Sequence, residues 1–140
     1  MTTHEVRSTV APHRSRALTV ALWVLQVLLA AVFLSAAYSK LSGDPAQVQG
    51  FEAIGFGQWF RYLTGACELA GAIGLLVPRL CGLAAIALVG LMVCATLTNL
   101  FLMPGMAVMA ILTVALGILL GVVARARWAD TRELLARFRR

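Results

Sequence analysis

The chain has 140 residues, of which 61% are hydrophobic and 13% charged, and its net charge is +6. Average soluble domains are about 45–50% apolar and about 25% charged, so a few charges gathered near the ends cannot dress a water-facing surface. The composition excludes a disordered chain, and basic residues without interleaved aromatics speak against nucleic acid.

Residues 1–16 (MTTHEVRSTVAPHRSR) read as a polar, basic leader that stays in water. Residues 17–39 carry no charge and are long enough for a membrane span, which needs about 20 apolar residues. Gln26 is the only strongly polar side chain in that run and reads as a helix-packing contact. A cleaved signal peptide is the competing reading, but the apolar run exceeds the usual core of about 7–15 residues. Residues 40–58 change character, with four glycines, Pro45, Asp44 and Glu52. Asp44-Pro45 suits the start of a short helix, so this stretch predicts a loop with an interfacial helix that does not cross the membrane.

Residues 59–77 predict a second span, with Trp59, Phe60 and Tyr62 as interface anchors and a run of small residues around Gly71 and Gly74. Pro78-Arg79 closes it. Residues 80–102 predict a third span, whose polar members Thr96, Thr98 and Asn99 fall toward its end. After Pro104-Gly105, residues 105–124 predict a fourth, with Gly117 and Gly121 one turn apart. Residues 125–140 form a basic tail in which Leu134, Leu135 and Phe138 share one side of an amphipathic surface helix.

Four spans place both ends on one side. That side then carries Arg7, Arg14, Arg16, Arg79 and the six arginines of the tail, against Lys40 and Arg61 on the other. The positive-inside rule puts the arginine-rich side in the cytoplasm of a bacterial inner membrane. Short turns force antiparallel neighbours, so the expected fold is an all-α, up-down four-helix membrane bundle.

Glu68 is the leading functional candidate, because a mid-span acid is costly without a partner, a wet cleft or a proton. Arg61 lies about two turns earlier on the same face, and Lys40 ends the first span at the same level. Lys40, Arg61 and Glu68 can form an outer cluster, with Tyr62 or Tyr38 as a hydrogen-bond donor and Thr96 and Asn99 at similar depth. The functional reading is a pocket for a small molecule or a quinone-like headgroup. The structural reading is a buried ion pair that sets helix register. Cys67, Cys81 and Cys94 form no CxxC pair and read as small apolar residues. His4 and His13 both lie in the leader, so no span can supply a bis-histidine haem, and no metal set, P-loop or Ser-His-acid set is present.

The runs Tyr38-Ser39-Lys40-Leu41-Ser42-Gly43, Phe51-Glu52-Ala53-Ile54-Gly55 and Gly65-Ala66-Cys67-Glu68-Leu69-Ala70-Gly71 resemble the DoxX-like family of small bacterial membrane proteins. Lys40-Leu41 matches that family's lysine-leucine after the first helix. Gly65, Glu68, Leu69 and Gly71 match its glutamate motif, and Arg61 and Thr96 resemble residues many members carry. The resemblance covers about residues 18–122. It implies a four-helix bundle and, for some relatives, small subunits of thiosulfate:quinone oxidoreduction or redox-stress complexes. The expected function is therefore a non-catalytic partner or assembly subunit, as a homo-oligomer or with a redox-complex protein, surrounded by membrane lipids. The alternatives are a quinone- or lipophile-binding redox subunit and an oligomeric small-solute transporter. No cofactor is expected beyond a quinone in the first alternative.

Overall fold

The computed structural model describes residues 15–139, so the expected leader lies outside it except for Ser15 and Arg16, as does Arg140. The described residues form six helices: α1 (Arg16–Ser42), α2 (Pro45–Ile54), α3 (Gln58–Leu76), α4 (Cys81–Phe101), α5 (Ala107–Ala126) and α6 (Trp128–Phe138). No strand occurs among them.

Local chemistry sets the ends of these helices. The Ser15 hydroxyl accepts from the Leu18 amide at 3.3 Å and opens α1. The helix runs past the predicted end at residue 39 and stops where Gly43 takes the left-handed conformation (φ 80°). The Asp44 carboxylate then accepts from the Ala46 amide at 2.9 Å, and Pro45 fills the first helical position of α2. Gly55, also left-handed (φ 85°), ends that short helix.

The four long helices each run antiparallel to the next. Gln26 of α1 meets Leu75 of α3, while Lys40 of α1 meets Arg61. A side chain added at Gly74 would meet Ala84 of α4, and one at Gly71 would meet Leu88. Thr96 of α4 pairs with Thr113 of α5. The closest packing joins α4 to α5 and α1 to α3, with α3 against α4 between these pairs. The core runs through Leu29 and Phe33 of α1, Ala72 and Leu75 of α3, Leu88 and Met92 of α4, and Leu120 and Val123 of α5.

The outward faces of the long helices are apolar as well. Val20, Val24 and Leu28 of α1, Ile73 of α3, Val93 and Leu97 of α4, and Ile111, Ile118 and Val122 of α5 are all exposed. Soluble monomers rarely show apolar patches of more than a few hundred Å2, so this surface fits lipid rather than water. By length and composition α1, α4 and α5 are each able to cross a membrane. The expected fourth, α3, is not among them: its shorter run carries Gln58, Arg61 and Glu68.

Candidate functional site

Two buried polar clusters lie at opposite ends of the α1–α3 pair. The first surrounds Glu68, seated on α3 opposite the last turns of α1. Its carboxylate oxygens lie 3.1 and 3.0 Å from the Lys40 ammonium, and both side chains are largely buried, 15% exposed for Lys40 and 7% for Glu68. Gly65, one turn earlier, lets the two helices approach: a methyl group there would sit 3.1 Å from the Lys40 and Leu41 side chains. The sequence permitted Arg61 as the partner of Glu68, and the structure gives that place to Lys40.

Arg61 has other work. Its Nε donates to Gln58 Oε1 at 2.6 Å and its Nη1 donates to the backbone carbonyl of Lys40. The last four carbonyls of a helix have no partner within it, and the guanidinium supplies one for α1. Gln58 in turn donates to the Val48 carbonyl at 3.1 Å, which ties α2 to the same corner. Tyr62 is half-exposed, and the Arg61 guanidinium lies 4.2 Å from its ring centroid. Phe60 packs edge-on against Phe51, Phe56 and Trp59 and covers this corner with aromatic rings.

Thr96 and Asn99 do not join this cluster by hydrogen bonds. The Thr96 hydroxyl donates to the Met92 carbonyl at 2.8 Å and lies 2.7 Å from that of Thr113 on α5. These hydroxyls border an apolar groove of about 300 Å3 between α4 and α5, with Met92, Leu97 and Gly117. Asn99 is half-buried on α4.

The second cluster was not foreseen as a unit. Gln26, completely buried, donates through Nε2 to the Leu75 carbonyl at 2.9 Å and to Cys81 Sγ at 3.0 Å. Its oxygen accepts from Arg127 Nε at 3.0 Å. Arg127 also pairs with Asp130 at 3.4 Å and lies 5.5 Å from the centroid of the Trp23 ring. Gln26 alone in an apolar run was the available signal; Arg127 was hidden among tail arginines read only as topology determinants. The two clusters are reciprocal: Arg61 of α3 caps the end of α1, and Gln26 of α1 caps the end of α3. Equal intervals along both helices separate these contacts, about 21 Å at 1.5 Å per residue.

Cys81 is buried at the start of α4, whereas Cys67 and Cys94 are exposed on the apolar surface. Among the described residues, no three His, Cys, Asp or Glu side chains gather in a way that could hold a metal ion.

A chain whose described residues are all-helical, with an apolar exterior and three helices able to span a bilayer, is a membrane protein. The sequence pattern of the DoxX-like family matches residues 24–124, and the chain belongs to that family. No curated protein and no solved structure matches it.

Proposed function

We propose that the four long helices, α3 included, cross the bacterial inner membrane as an up-down bundle with both ends cytoplasmic. In this reading the protein is a non-catalytic partner or assembly subunit of a membrane complex. The observation that carries it is the Glu68 site: the carboxylate is neutralised by Lys40 of the same chain and enclosed by α1 and α3. A mid-bilayer acid satisfied in this way acts as a register lock for two helices, and the face left for other molecules is the apolar exterior.

The geometry narrows where a partner helix would sit. The glycines of α3 are already used, since Gly71 packs on Leu88 and Gly74 on Ala84. Gly90 of α4 and Gly121 of α5 have open space where a side chain would be. Close helix approach in lipid relies on such small residues. A photo-crosslinking residue at Ile118 or Val122 of α5, tested in native membranes, is expected to give one discrete higher-mass species. The same probe at Val20 of α1 serves as comparison. Monomer alone at every position overturns the partner reading. Quinone binding that is saturable in the wild type and lost in Glu68→Gln would instead install the redox alternative.

A further inference from the structure

We propose that α6 forms a binding surface for anionic lipid headgroups at the edge of the bundle, a role that rests on the membrane reading above. The helix lies beyond the residues matched by the family. Trp128, Thr131, Leu135 and Phe138 follow one another at helical spacing and share a face. The middle of that face is docked: Thr131 is fully buried, and Gly82 of α4 leaves the room its side chain occupies. The rest of the face is not covered by the protein. Trp128 is 43% exposed, Leu135 42% and Phe138 82%. The apolar side of α6 therefore reaches past the helices it packs on.

Charge chooses the occupant of this overhang. Trp128, Arg132, Leu135 and Arg139 form a contiguous stripe at intervals of three or four residues. Arg132 and Arg139 are exposed, and neither pairs with a carboxylate among the described residues. The acids of α6 lie elsewhere: Asp130 is held by Arg127, and Glu133 falls on the far side of the helix. An aromatic and aliphatic ledge edged by two free guanidiniums fits a lipid whose tail lies along the ledge and whose phosphate meets the arginines. A zwitterionic headgroup satisfies the phosphate contact but adds its own cation beside the arginines, so a net-negative headgroup is preferred.

The test uses the full chain in nanodiscs with Trp23→Phe and Trp59→Phe, leaving Trp128 as the reporter. Dibrominated phosphatidylglycerol and dibrominated phosphatidylcholine are compared at equal mole fraction as quenchers. Trp128 is expected to be quenched at least about twofold more by the glycerol lipid. Arg132→Gln with Arg139→Gln is expected to make the two lipids equal. Equal quenching with the arginines in place overturns the proposal, as does selectivity that survives their removal. A companion chain with Trp23→Phe and Trp128→Phe reports through Trp59 at the opposite end. Quenching of Trp59 without selective quenching of Trp128 refutes the lipid surface alone; no quenching of either refutes membrane insertion itself.

Discussion

Glu68 and Lys40 carry opposite charges into an apolar setting, and each is tolerable only because the other is there. Glu68→Gln leaves an ammonium without a counter-charge and is expected to destabilise the protein by about 2–3 kcal/mol, below the ~3–5 kcal/mol of a fully sealed pair. Lys40→Met with Glu68→Leu removes both charges and is expected to be more stable than either single substitution. Thermal unfolding in detergent measures both, and a double variant no better than the worse single one contradicts the register-lock reading. The glutamate was conspicuous in the sequence because a lone acid in an apolar run is expensive. Its partner was not, since Arg61 and Lys40 both lay within side-chain reach. The choice between them depends on how the two helices are rotated. Arg61 faces the open carbonyl of the last turn of α1, which takes its guanidinium and leaves Lys40 for the carboxylate.

Packing between helices in lipid depends on fit more than on hydrophobicity, because lipid tails are as apolar as the side chains. Gly74 shows this most directly. A methyl group there would lie 2.7 Å from the Ala84 side chain, so the helices must part to admit it. Gly74→Ala is expected to cost about 1–3 kcal/mol as an overpacking substitution. Gly121→Ala meets nothing within 4 Å and is expected to be neutral, or to stabilise by up to ~1 kcal/mol through helix propensity. Unfolding in detergent separates the two, and equal effects would contradict the packing described for α3 and α4. The glycines of α3 and α5 look alike in the sequence, as small residues near one turn apart. Only those of α3 are enclosed, so among the long helices the glycines left with open space lie on α4 and α5. The short helix α2 was evident from Asp44-Pro45, whose capping chemistry is local.

At the scale of the whole molecule, the long helices are drawn together at one end by Gln26, which joins α1 to the ends of α3 and α5. That contact brings the first half of α1 and the start of α6 to the same end of the molecule. For the proposed orientation, a chain with Cys67, Cys81 and Cys94 replaced by alanine provides the test. Ser15→Cys and Ala129→Cys are expected to react with an impermeant maleimide only after spheroplasts are opened, and Ala46→Cys in intact ones. Labelling of positions 15 and 129 from opposite faces overturns the four-span arrangement. Lipid as the surrounding medium, the number of long helices, and the places where the chain must break followed from the sequence by itself. Hydropathy, proline, glycine and capping residues act over a few neighbours and need no knowledge of the fold. The pairing of Lys40 with Glu68 across 28 residues, and of Gln26 with Arg127 across 101, emerged only from the tertiary structure. A helix apolar on every side does not announce which face turns inward, so polar partners are chosen by the packing of whole helices.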